Sequence, residues 1–120
     1  MPDNVIAIKG LERIAVLVKD DVNFTAVGTG TTTPTQSNTK LVTETKRLAT
    51  TKKLQSGASS QLRTFFANAD LPTTMEEAGW FMNGSATPDS GSLLIRALIN
   101  FVKGTNDLLL LADITFKEEL

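Results

Sequence analysis

Two apolar runs in the last third of the chain constrain the fold most. Leu93, Ile95, Ala97, Ile99 and Phe101 alternate with positions that include Arg96 and Asn100. Leu108, Leu110, Ala112, Ile114 and Phe116 alternate in the same way with Asp113, Thr115 and Lys117. A period of two belongs to extended strands, because successive side chains leave opposite faces of a sheet. Gly104-Thr105-Asn106 between the runs is turn-forming. The expectation is an antiparallel hairpin whose two apolar rows face one side.

The rest of the chain divides into shorter pieces. Ile8, Leu11, Ile14, Ala15 and Val18 recur at helical spacing, which predicts a helix over 8–19. Strands are expected at 23–27, at 45–54 as a Lys-bearing edge, at 61–68 with Leu62, Thr64 and Phe66 on one face, and at 74–82. Thr39 to Thr43 fits one helical turn, and Gly79 marks a bulge or a close approach. Pro34 and Ser37-Asn38 make 31–38 a loop, and NGSATPDSG (83–91) is a second one. The architecture expected is mainly β: an antiparallel β-sandwich of five or six strands with one N-terminal helix. It forms a single domain over 1–120, with the helix at 8–19 and the sandwich at 23–117.

Apolar patterning continues on the second face of several strands. Trp80-Phe81-Met82 and Leu108 to Leu111 place large apolar groups on both faces. One core does not readily hide all of these, so Trp80, Met82, Leu109 and Leu111 are candidate contacts between subunits. The polar stretch Thr31, Thr32, Thr33 and Pro34 is long enough to reach a neighbour.

Composition narrows the chemistry. Cys and His are both absent, which removes thiolate nucleophiles, the usual zinc and haem ligands, and any His-based triad. Twelve basic and thirteen acidic residues leave a net charge of −1, so no global field favours nucleic acid or an anionic membrane. The one basic cluster, Lys46, Arg47, Lys52 and Lys53, has no aromatic residue among it for base stacking. The opening MPDNVIAIKG does not read as a signal peptide, and no apolar run approaches membrane-spanning length. Gly28-x-Gly30 lacks the Gly-Lys pair of a phosphate loop and reads as a strand-ending turn. Glu76 and Glu77 lie on opposite strand faces and cannot share a proton; one of them is expected to pair with Arg47 or Arg96. No catalytic residue, cofactor, metal or small-molecule substrate is expected.

Three segments in order carry a family resemblance. FTAVGTGTTTPTQSNTKLVTETKR (24–47) resembles the "AVGxGxxxPxxxxTxLxxExxR" opening of phage tail-collar fibre N-terminal domains and related small virion proteins. TTMEEAGWFMNG (73–84) is similar to their "xIxEvGlFxxxG" strand, with Met75 in place of the usual β-branched residue. GSLLIRALINFVKGTNDLLLLADITF (91–116) is similar to their "GxLlaraxxxxxxKxxxxxlxixxxixF" closing hairpin. The resemblance implies a non-enzymatic virion part assembled in the host cytoplasm: a tail, baseplate or fibre-attachment adaptor. It implies contacts with copies of itself, as a trimer or ring, and with other virion proteins. Glu44 and Arg47 fall on the "E-x-x-R" positions and are expected to clamp the Gly28–Pro34 loop. The alternatives are a capsid decoration or head-fibre protein, and a receptor- or sugar-binding module.

Overall fold

A computed structural model describes residues 5–117. The expected chain limits at 1–4 and 118–120 lie outside the described residues. Helix α1 (Ile8–Asp21) leads directly into strand β1 (Val22–Gly28), and six further strands follow. They are β2 (Glu44–Ala49), β3 (Lys52–Ser56), β4 (Ser59–Phe66), β5 (Met75–Met82), β6 (Ser92–Phe101) and β7 (Leu108–Thr115). A four-stranded sheet in the order β2-β1-β5-β6 packs on a three-stranded sheet in the order β3-β4-β7, and every pairing is antiparallel. The mainly-β, sandwich-like architecture with one N-terminal helix is therefore present, with seven strands rather than five or six.

The extra strand comes from the 45–54 stretch, which is two strands in two sheets. The amide of Thr50 donates to the Asn23 carbonyl of the first sheet at 2.9 Å, and the next amide, Thr51, donates to the Arg63 carbonyl of the second at 2.7 Å. Both halves are edge strands, as the lysines imply.

The hairpin between the two alternating runs does not form. β6 pairs with β5, and β7 pairs with β4 in eight consecutive register positions, from Ser59↔Thr115 to Phe66↔Leu108. Alternation specifies which side of a strand is buried but not its partner. The connection is held from elsewhere: the Asn68 side-chain amide donates to the carbonyls of Gly104 and Asn106, and its backbone N–H donates to the Asp107 carboxylate. This delivers β7 to β4 rather than to β6. Ile95, Ala97, Ile99 and Phe101 still share a core with the β7 row, because the sheets face one another, but Leu93 does not: the register shift between Trp80 and Phe81 turns it to the outer face, beside Phe81 and Leu41.

That core joins Val22 and Val27 of β1, Leu62 and Phe66 of β4, Met75, Ala78 and Trp80 of β5, and Leu108, Leu110 and Ala112 of β7, with Leu71 between β4 and β5. A buried hydrogen bond from Thr64 Oγ1 to Thr25 Oγ1 (2.7 Å) crosses between the sheets. On the helix, Leu11 and Ala15 are buried and Val18 packs on the core, whereas Ile8 and Ile14 of the expected face are exposed. Ser60 Oγ donates to the Ala15 carbonyl and ties α1 to β4. Residues 39–43 form no helical turn. Strand β4 stops at Phe66, and Phe116 lies half-buried past the end of β7.

Candidate functional site: a double clamp on the outer sheet face

The outer face of the four-stranded sheet is organised as three cross-strand rows. One row is Glu44–Gly28–Glu77–Leu98, the next is Arg47–Ala26–Gly79–Arg96, and the third is Ala49–Phe24–Phe81–Leu93. An acidic row thus lies beside a row with an arginine at each end and two minimal side chains in the middle. Residues on adjacent rows of one face are in reach of long side chains. Two ion pairs result, and each holds one loop.

The first pair is Glu77 with Arg96, whose Nε donates to Oε1 at 2.9 Å. Both side chains are essentially solvent-free, at 0% and 1% exposure. Three backbone amides from the 29–43 loop also donate to the Glu77 carboxylate: Gly30, Val42 and Thr43, at 2.8, 2.9 and 2.9 Å. Arg96 Nη1 completes the link by donating to the Thr32 carbonyl at 2.9 Å. Here the Gly28-x-Gly30 pair has its use. A Cβ on Gly28 would lie 2.7 Å from Glu77 Oε2 and collide with the Thr43 carbonyl, and one on Gly30 would collide with Val42. The amides that a phosphate would need are thus occupied by an internal carboxylate.

Burial pushes the Glu77 carboxyl up, but the donors from Thr43, Val42, Arg96 and Gly30 outweigh it and hold the group below its ordinary value. A carboxylate lowered on folding stabilises the native state above its unfolded pKa, near 4.3 for glutamate. This contribution is lost as the pH falls below that value and through the lower folded-state one. In urea titrations at a series of pH values, the stability gap between wild type and Glu77→Gln should be constant above about pH 6 and close on acidification.

The second pair is Glu44 with Arg47, joined by two hydrogen bonds, Nε to Oε2 (3.0 Å) and Nη2 to Oε1 (2.9 Å). Each side chain is 2% exposed. Arg47 Nη1 donates to the Ser85 and Ser90 carbonyls and to Ser90 Oγ. Its guanidinium stacks over Phe81, 4.3 Å from the ring centroid. The expected clamp is present, but it holds the 83–91 loop; Glu77 and Arg96 hold the Gly28–Pro34 segment instead. The double variant Glu44→Gln/Arg47→Met, which strands no buried charge, should keep the fold yet speed nicking at 83–91 by a broad-specificity protease. Cleavage at 29–43 should stay at the wild-type rate.

Leu41 lies buried between the two clamps. Its position depends on Gly79, where a Cβ would stand 2.7 Å from Leu41 Cδ2. Gly79 is the close approach that the sequence suggests; a register shift also falls beside it, between Trp80 and Phe81.

The other candidate residues separate. Trp80 is in the core of its own chain, and Met82 is half-buried against it. On the opposite face of β5, Phe81 is covered by Leu41, Phe24 and Arg47 of the same chain. Thr31, Thr32 and Thr33 are exposed and Pro34 is half-buried. Leu109 and Leu111 stand 60% and 48% exposed on the outer face of the three-stranded sheet, flanked by Phe65 at 48%. Among the described residues no group of three or more His, Cys, Asp or Glu residues is placed to hold a metal ion. No described helix is long and apolar enough to cross a membrane.

No protein-family model matches the chain, and no curated protein matches it.

Proposed function

We propose that this chain is a structural protein of a bacteriophage virion, a tail, baseplate or fibre-attachment adaptor that acts by assembly and not by catalysis. One observation carries the reading. The three separate segments that resemble tail-collar fibre domains converge on the double clamp. The opening segment supplies Gly28, Gly30, Glu44 and Arg47; the middle segment supplies Glu77 and Gly79; the closing segment supplies Arg96, on the arginine of its "GxLlara" pattern. Residues that match a pattern at distant positions and meet in one buried network make a stronger case than the same matches scattered over the surface.

The clamps also suit the role. Two polar loops lie over one sheet face, each tied at several backbone atoms to a buried ion pair. Loops ordered before contact lose less entropy when they meet a neighbour, which is what an adaptor between rigid parts requires. Its partners are copies of itself, arranged as a ring, and neighbouring virion proteins. The test is a cryo-EM map of purified particles, with the chain carrying a C-terminal label. Density at the tail, baseplate or fibre-attachment point is the expected result. Density on the capsid shell would move the protein to a decoration role, and particles without it would overturn the reading.

A further inference from the structure

Four strand edges border the two sheets, and three of them carry features that discourage pairing with another chain. β2 carries Lys46 and has a register shift opposite Val27 and Gly28. β3 begins Lys52-Lys53. β6 has two register shifts against β5. Basic residues and bulges are the usual means by which sheets blunt an edge. β7 has none of these. It reads LLLLADIT, with no basic residue and no proline, and it pairs with β4 over all eight positions without a shift. No described strand pairs with its other edge.

We propose that β7 is where two copies of this chain join, edge to edge and antiparallel, so that two three-stranded sheets become one of six strands. This rests on the assembly reading above and names its copy-to-copy contact. Charge selects the occupant. A second copy at β3 would bring Lys52 and Lys53 toward their counterparts, which is repulsive, and the register shift in β2 breaks up that edge. β7 carries only Asp113, whose carboxylate already accepts a hydrogen bond from Gln61 Nε2 at 3.0 Å. Overlap selects the register. A two-fold axis at Leu111 sets Leu108 opposite Ile114 and Leu110 opposite Ala112, so nearly the whole strand pairs. It also keeps the two Asp113 side chains apart, each opposite a Leu109, and brings the two Leu111 side chains together on the axis. The contact runs along the β7 edge, so Leu111 meets its counterpart side by side while Phe65, on the neighbouring β4, stays outside it. The contact is isologous, and with a second, different contact it generates rings of dihedral symmetry.

The chain has no cysteine, so a single introduced thiol reports the register. Under mild oxidation, Leu111→Cys should form a disulfide-linked dimer, while Leu109→Cys, whose own copy would lie four positions away, should stay monomeric. In sedimentation velocity over a concentration series, wild type should move from monomer to dimer mass. Leu111→Lys should remain monomeric with an unchanged far-ultraviolet circular dichroism spectrum, since Leu111 is half exposed and outside the core. Wild type that stays monomeric at every concentration overturns the proposal. So does a dimer that survives Leu111→Lys, or one that cross-links through Leu109→Cys. Particle maps in which β7 is continued by a strand of another protein overturn the second copy as occupant and leave the virion reading standing. A β7-linked dimer with no copy in the particles does the reverse.

Discussion

Arg96→Ala should lower the free energy of unfolding by about 3–5 kcal/mol, because it strands the Glu77 carboxylate in a solvent-free site. Domains of this size are stable by only about 5–15 kcal/mol, so the urea midpoint should fall by about a fifth or more. The cost comes mainly from the charge left behind. Glu77 would keep its three amide donors, from Gly30, Val42 and Thr43, but lose its countercharge. Glu77→Ala makes the complementary error: it leaves Arg96 buried and three amides unpaired. The double variant should therefore cost less than the sum of the two single ones, with a coupling of about 0.5–3 kcal/mol. Simple additivity would mean that the two side chains do not act as a unit, against their 2.9 Å contact.

What the sequence made legible, and what it hid, divides along physical lines. Patterns that depend on one strand alone were readable. Leu62, Thr64 and Phe66 do share the buried face of β4, and Leu108, Leu110 and Ala112 that of β7. Pairing was not readable, because it depends on contacts distant in sequence. Nothing local in 102–107 says that Asn68 will hold the turn and direct β7 to β4. The sheet switch at Thr50-Thr51 was hidden for the same reason: a strand that changes sheets keeps a strand-like composition throughout. At the clamp, the choice of Arg47 or Arg96 as partner for a glutamate of the Glu76-Glu77 pair narrowed the field correctly, and Glu77–Arg96 is the pair formed. The destination of Arg47 was missed because its partners, Ser85 and Ser90, are reached through backbone carbonyls, and any residue supplies a carbonyl. The absence of a helical turn at 39–43 has a related cause. The amides of Val42 and Thr43 find the Glu77 carboxylate, a charged acceptor stronger than a neighbouring carbonyl.

Burial also reassigns the largest core effect. Alternation alone groups Phe116 with the buried row of its run and would give Phe116→Ala a full core penalty. Phe116 instead sits half-buried one residue beyond β7, attached by its amide to the Ala58 carbonyl at 2.8 Å, a bond that alanine keeps. The side chain with the full penalty is Phe66, at 0% exposure, in the same cluster as Leu71, Met75 and Leu108. Phe66→Ala should cost about 3–5 kcal/mol, the lost transfer energy plus the cavity left where the end of β4 meets β7. Phe116→Ala, by contrast, loses only part of that transfer energy and opens no enclosed void. At about 4–8 °C per kcal/mol for a domain somewhat smaller than this one, the two variants should differ in melting temperature by roughly ten degrees or more. Equal shifts would mean that Phe116 is as enclosed as Phe66, against its half-buried position. A small shift for Phe66→Ala would mean that β4 and β7 collapse onto the vacated space, which their eight-position register opposes.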